Sequence, residues 1–401
     1  MRKYLLISAL FFTFSSVSAQ ITVTDFLPQN YVTDGSVNYS KEIQQAMDKA
    51  GELKSTVVFP AMLYLVNEIG LTLRSGITLS MYGATFIIDK NSATDGQVFQ
   101  GTDISDLNMF GGEIAGGKSK WPDGVNIRGV YLKGNSQNIR IRDMFIHDIS
   151  SNGIGIFGED NLPAQNVWVQ DIVIDKGCNF YGDYMSERPG TEAGSVREDQ
   201  GLIALYFVNN FVVRGCRFEN SRSDGTHFYR CKQGQIIGNK IYNAQMGGFF
   251  LETCENVLGA ENIMRDNGSR GTTIERGSKN CIFSGNVVEN SGREGLWAPD
   301  CIGLVVTDNI FRYNGRKPND MVRNRIWNAN MTIDEASDPT QSPTTDYLIQ
   351  NNIFYTSESQ IAAIRIDADV SDHIFVKNNM FRGEKLDVLV QGKTEGKKIQ
   401  Y

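Results

Sequence analysis

The stretch Ser223–Cys231, SDGTHFYRC, brings Asp224, His227, Tyr229 and Arg230 together in a segment that otherwise alternates like a strand. Histidine accepts a proton well near neutral pH, and tyrosine donates one when a cation lies nearby. Residues two apart on a strand leave the same face about 6–7 Å apart. His227 and Tyr229 could therefore serve one substrate ring as base and acid. Glu252, Glu275 and Trp297, and the arginines Arg270, Arg276 and Arg293, follow over about the next 70 residues, which raises the question of what holds them in line.

The answer is a repeat. Asn239, Asn262, Asn286 and Asn309 recur at spacings of 23, 24 and 23, opening the segments NKIY, NIMR, NVVE and NIFR. Asn352 and Asn379 continue the column, and Asp143, Asp171 and Cys216 are read as its earlier members. A second column holds Asn220, Asn243, Asp266 and Asn290, and a third holds Gly225, Gly248, Gly271 and Gly295, nine residues after the first. Short strands and tight turns at this period predict stacked parallel coils, each burying its apolar face only when neighbours cover it. Asparagine suits left-handed turns and can hydrogen-bond between coils.

Aligned on the glycines, Thr226/Phe228, Phe249/Leu251, Thr272/Ile274 and Leu296/Ala298 point inward. His227/Tyr229, Phe250/Glu252, Thr273/Glu275 and Trp297/Pro299 point outward. Parallel strands lie about 4.8 Å apart, so four coils expose a stripe roughly 15 Å long. His227, Tyr229, Glu252 and Arg276 are its candidate catalytic residues. Asp224, Arg270, Glu275, Arg293 and Trp297 are its candidate substrate contacts. Arg276 would point inward by strict alternation and reaches the stripe only if its strand ends near Glu275. Cys231, Cys254 and Cys301 share one column six places after the glycine and predict stacked thiols or a bridge between coils. His147 and His373 are read as structural.

Ahead of the repeats, YSKEIQQAMDKAG predicts a helix with Ser40 as N-cap and Gly51 as its stop. STVVFPAMLYLV and GITLSMYGATFII predict strands. The order helix, V-x-F-P-x-x-x-Y strand (Val57 to Tyr64), then Asn- and Gly-punctuated coils resembles the pectate-lyase-like superfamily of carbohydrate-active proteins. The resemblance implies an all-β, right-handed parallel β-helix of about 23-residue coils with an N-terminal capping helix. It also implies a lyase, hydrolase, uronate C5-epimerase or tailspike, among which a fold cannot choose. The run GTTIERGSKNCIFSGN, Gly271 to Asn286, is similar to one in the alginate-lyase and chondroitinase-B-like family, and Arg276 takes the place of that family's catalytic arginine. Glu252 stands where that family has a lysine base, which departs from its calcium-assisted mechanism.

Two chemistries fit these residues. One removes the C5 proton of a uronic acid, with an arginine neutralising the neighbouring carboxylate. The resulting carbanion-like species can expel the O4 sugar (a polysaccharide lyase), expel water at a chain end (an oligosaccharide dehydratase), or be reprotonated on the other face (an epimerase). The other is retaining glycoside hydrolysis by Glu252 and Glu275, which share a column and could lie about 5 Å apart. A non-catalytic carbohydrate-binding protein is a further reading, against which the clustered proton-transfer groups argue. β-Elimination on an anionic, uronate-containing oligo- or polysaccharide is the leading expectation.

MRKYLLISALFFTFSSVSAQ reads as a signal peptide over residues 1–19, so a single domain is expected over 20–401 and an exported, periplasmic or secreted location. No other apolar run is long enough to span a membrane. The formal charge is −7, and −9 without Arg2 and Lys3, which with no basic block argues against nucleic acid. Insertions at 177–199 and 314–343 interrupt the turn before the glycine strands and are expected to wall the stripe. Asp183, Glu187, Glu192, Glu198 and Asp199 load the first with oxygen ligands that would suit Ca²⁺, or form a solvated acidic loop; no metal ligand set and no other cofactor is predicted.

Overall fold

The computed structural model describes residues 20–88, 95–117, 125–178, 200–316, 328–336 and 342–401. The 1–19 segment read as a signal peptide, most of both insertions, and the five acidic residues read as a solvated loop or Ca²⁺ ligands lie outside these residues, as does the wall the insertions were expected to build.

Three parallel sheets of 14, 13 and 12 strands run the length of the described chain. One coil visits each sheet in turn. Lys232–Ile237 lies in the first, Lys240–Tyr242 in the second and Phe249–Glu252 in the third, after which Glu255–Ala260 returns to the first. Each strand pairs with its equivalents one coil before and after. Strands are short because corners interrupt them. Gly215, Gly238, Glu261, Gly285, Asp308, Asn351 and Asn378 form one corner column with φ between 53° and 68°. Asn220, Asn243, Asp266 and Asn290 form another, with φ between 55° and 62°. Glycine, asparagine and aspartate are the residues that enter this left-handed region most readily.

The Asn239 column is an internal ladder. The Asn239 side chain donates from Nδ2 to Asn262 Oδ1 (2.9 Å) and to the Val213 carbonyl (3.0 Å), while its backbone N–H donates to the same Oδ1 (2.9 Å). The pattern repeats through Asn286, Asn309, Asn352 and Asn379. The buried amides of this column are thus paired from Asn239 to Asn352. The ladder begins later than the sequence suggested. Register places Met144 and Ile172, not Asp143 and Asp171, opposite Cys216. The two aspartates occupy the left-handed corner one residue earlier, with φ 59° and 53°.

The apolar interior collects Phe228, Phe249, Leu251, Ile274 and Leu296 from the third sheet, all buried. Gly225, just ahead of the strand Thr226–Tyr229, carries no side chain, and a Cβ there would lie 2.2 Å from Ile241 of the neighbouring sheet. All six cysteines are free and buried. The thiols of Cys231, Cys254 and Cys301 donate to the carbonyls of Leu205 (3.0 Å), Phe228 (3.2 Å) and Ile274 (3.1 Å), so the column is a stack of thiols.

A helix spans Ser40–Leu53, and its buried Ile43, Ala46, Met47 and Ala50 join the interior. Its boundaries differ from the sequence reading. Tyr39 holds the N-cap position, while the Ser40 hydroxyl accepts the Asn67 N–H (3.0 Å). Gly51 lies inside the helix, where its bare Cα admits the Arg74 side chain, and Lys54 ends the helix at φ 49°. Tyr64 of the V-x-F-P-x-x-x-Y segment closes its own corner, donating its hydroxyl to the Pro60 carbonyl (2.8 Å).

Candidate active site

The outward face of the third sheet carries two columns of side chains. One runs Tyr131, Gly155, Ala204, His227, then on the following coils Phe250, Thr273, Trp297. The other runs Lys133, Phe157, Tyr206, Tyr229, Glu252, Glu275. His227 and Tyr229 are on the face the alternation assigned them, but His227 is only 2% exposed, whereas Tyr229 is half-buried.

Both ring nitrogens of His227 are engaged. Nε2 lies 3.0 Å from Glu252 Oε2, and Nδ1 lies 2.7 Å from the Tyr206 hydroxyl. Arg276 Nη1 donates to the other Glu252 oxygen at 2.6 Å, and Arg276 Nε stands 3.4 Å from Glu275 Oε1. Burial by itself would raise the Glu252 carboxyl, but hydrogen bonds and charge from His227 and Arg276 outweigh it and hold the group at about 2. An ionised Glu252 only accepts hydrogen bonds, so His227 Nε2 donates to it. In the tautomer whose one proton is on Nε2, Nδ1 accepts from the Tyr206 O–H. Phe250 stacks on the imidazole with centroids 4.5 Å apart, fixing the ring plane. A tyrosine, a histidine, a carboxylate and a guanidinium thus form one hydrogen-bonded chain across four coils.

Arg276 reaches this chain because its strand, Thr272–Glu275, stops one residue earlier and Arg276 itself takes φ 55°. The left-handed corner turns the side chain outward, where it is 36% exposed. Glu275, facing the same way, is buried; desolvation pushes its carboxyl up to about 7 against the pull of Arg276.

The remaining candidates divide. The Tyr229 hydroxyl makes no hydrogen bond to a described residue, and its ring packs on Tyr206 and Phe207 (5.5 and 5.4 Å). Asp224 is buried and bound to the Gly247 N–H (2.7 Å) and Gln200 Nε2 (2.5 Å), which makes it a brace for two neighbouring coils. Arg270 lies over the Trp297 ring at 3.8 Å and pairs with Glu294, whose buried carboxyl is pushed up to about 7 by desolvation. Trp297 Nε1 donates to Asp334 Oδ1 (2.6 Å), so one face and the polar edge of this indole are occupied by protein. Arg293 is half-buried beside Glu294 and acts on its carboxyl electrostatically. His147, between Glu113 (2.9 Å) and Asp148 (2.7 Å), and His373, beside Asp372, lie on the other two sheets.

Tyr206 is the residue that sequence reasoning missed. It stands 23 residues before Tyr229, so the repeat itself pointed to it. The insertion just upstream hid it, because Gly201 lies opposite Asp224 rather than Gly225 and the glycine alignment slips by one. Among the described residues no group of three or more His, Cys, Asp or Glu could hold a metal ion, and no helix is long and apolar enough to cross a membrane.

The family model of the right-handed β-helix region matches residues 201–333, which include this site. The A-module of mannuronan C-5 epimerase AlgE4 from Azotobacter vinelandii is similar in structure, with a TM-score of 0.75 at 15% identity over 96% of this chain and 99% of that one. The surface adhesin PfbA of Streptococcus pneumoniae aligns with a TM-score of 0.62 at 14% identity over 93% of each chain. The tailspike of E. coli bacteriophage HK620, solved with a pentasaccharide, aligns with a TM-score of 0.61 at 13% identity over 87% of this chain and 71% of that one. No curated protein matches the chain by sequence. The chain is a right-handed parallel β-helix, and at these identities the likeness speaks for the fold alone.

Proposed function

We propose that the protein is an exported enzyme that removes the C5 proton of a uronic acid unit in an anionic oligo- or polysaccharide and completes a β-elimination. Coils of about 23 residues, closed at the N-terminal end by the Ser40–Leu53 helix, carry the site. The observation behind this reading is the Tyr206–His227–Glu252–Arg276 chain. Glu252 accepts the Nε2 proton of His227 in a hydrogen bond, which leaves Nδ1 as the acceptor facing Tyr206. His227 takes the Tyr206 hydroxyl proton as the Tyr206 oxygen takes the proton from C5. The C4–O4 bond breaks as the C4–C5 double bond forms, and the unpartnered Tyr229 hydroxyl gives its proton to the departing O4. The half-exposed Arg276 brings positive charge to the enolate that forms on the C6 carboxylate. If O4 bears a sugar the product is a shortened chain; if it bears only hydrogen, water leaves.

Two observations favour neighbouring readings. The mannuronan C-5 epimerase module shares the fold over nearly its whole length, and an epimerase would use the same proton abstraction. Glu252 and Glu275 also have acidities pushed apart, to about 2 and about 7, as a nucleophile and acid of a retaining hydrolase would. Both Glu252 oxygens are already hydrogen-bonded, which weighs against nucleophilic attack. Incubation with a panel of uronate-containing polysaccharides and oligosaccharides, following ultraviolet absorbance and product mass together, tests the proposal. An absorbing, unsaturated product supports elimination, while a saturated product heavier by water refutes it.

A further inference from the structure

We propose that Arg128 forms a separate anion subsite that holds an acid group of the sugar chain, carboxylate or sulfate ester, on the N-terminal side of the His227 centre. The inference rests on the carbohydrate reading of this face, though not on which atom His227 deprotonates.

Arg128 is 7% exposed, and its guanidinium makes no hydrogen bond or ion pair to any described residue. Its Nε is buried with no acceptor at all. Other arginines on the same face behave differently. Arg276 pairs with Glu252, Arg270 with Glu294, Arg230 with Asp160 and Arg365 with Asp334. A buried cation without an anion is costly, because water that would solvate it has been removed and nothing replaces it. What Arg128 does have is the Tyr131 ring, 4.6 Å from its Cζ, which satisfies none of its N–H groups.

The surroundings are those of a sugar site. From Tyr131 an edge-to-face run of rings leads to the reaction centre: Tyr131–Phe157 at 5.6 Å, Phe157–Tyr206 at 5.0 Å and Tyr206–His227 at 5.0 Å. Gly155 makes this possible, since a Cβ there would lie 2.5 Å from the Phe157 ring. Beside it, on the coil after Arg128, Asn152 donates from Nδ2 to the Gly201 carbonyl (2.7 Å), which leaves its buried Oδ1 without a partner. Cation, aromatic floor and free acceptor suit an anionic group, an apolar ring face and a hydroxyl of one chain. The Arg128 and His227 coils are three steps apart, about 14 Å. The acid group held by Arg128 therefore belongs to a neighbouring unit rather than to the ring being deprotonated.

Binding can be measured without turnover. Oligosaccharides containing glucuronate, galacturonate, or mannuronate and guluronate, their carboxyl-reduced forms, and uronate-free sulfated galactans would be titrated calorimetrically into His227→Ala protein and into His227→Ala/Arg128→Met protein. Affinity for at least one anionic set should fall roughly tenfold or more without Arg128, as for loss of a charge-assisted hydrogen bond. The difference should vanish for carboxyl-reduced chains if the group is carboxylate, and should appear with the sulfated galactans if it is sulfate. Without ligand, Arg128→Met should melt at a higher temperature, because it removes an unpaired buried charge. Equal affinities for the two proteins, no binding of any anionic set, or a lowered melting temperature would overturn the proposal. Because the reacting histidine is absent throughout, failure of the C5 mechanism leaves this result standing.

Discussion

The Tyr206 hydroxyl lies 2.7 Å from Nδ1 of His227, on strands of adjacent coils whose Cα register pairs Ala204 with His227 and Tyr206 with Tyr229. With Nε2 given to Glu252 and Nδ1 to Tyr206, both ring nitrogens of His227 are occupied by protein, and the proposed mechanism therefore routes its proton transfer through the phenol.

Tyr206→Phe should therefore cost about as much as His227→Ala, on the order of 10²–10⁴-fold in kcat, and the double variant should be little worse than either. Single-turnover rates for the three proteins check this. Additive losses would mean that the two residues work independently.

Glu252→Gln keeps an acceptor for Nε2 but removes the negative charge that would stabilise an imidazolium formed during proton transfer. Turnover should fall while a residual rate survives, and added azide should not restore it. Rescue by azide with a glycosyl azide product would identify Glu252 as a nucleophile and favour hydrolysis.

Glu275 gives a pH signature in stability. Burial raises its folded pKa from 4.5 to about 7, so the folded state keeps a proton that the unfolded chain releases. Stability from this group is fully present below pH 4.5 and is lost as pH rises through 7. Glu275→Gln should flatten the fall in melting temperature between those two values, as measured by thermal scans across the interval. An unchanged slope would show that Glu275 is ionised in the folded protein throughout.

Trp297→Ala should act on folding more than on substrate affinity. The indole is buried under Arg270 and tied to Asp334, so its removal should cost about 3–5 kcal/mol in urea unfolding. A large rise in KM with unchanged stability would restore the indole as a sugar platform.

The columns of the coil were legible in the sequence because each obeys a local rule. Asn290 must turn left-handed, Gly225 must admit Ile241, and Asn262 must hydrogen-bond its copies one coil away. Alternation also gave the correct side for His227, Tyr229, Glu252 and Glu275. It could not give the partners. Whether Arg270 lies over Trp297, or Glu252 bridges His227 and Arg276, depends on side chains from different coils meeting above the sheet. Tyr206 and Arg128 were lost for a simpler reason. Tyr206 follows the 177–199 insertion, and Arg128 lies 31 residues after Gln97, its register partner, so at both places the 23-residue repeat no longer announces its phase. The burial that leaves Arg128 without a carboxylate is likewise a three-dimensional fact.

The fate of the C5 hydrogen tests the central claim most directly. Uronate oligosaccharide deuterated at C5 would be turned over by the wild-type protein and followed by mass spectrometry and rate. Loss of the deuterium to solvent with a primary isotope effect, both abolished with activity in Tyr206→Phe and His227→Ala, is the predicted result. Cleavage that retains deuterium at C5 and proceeds at the rate of unlabelled substrate would contradict the account.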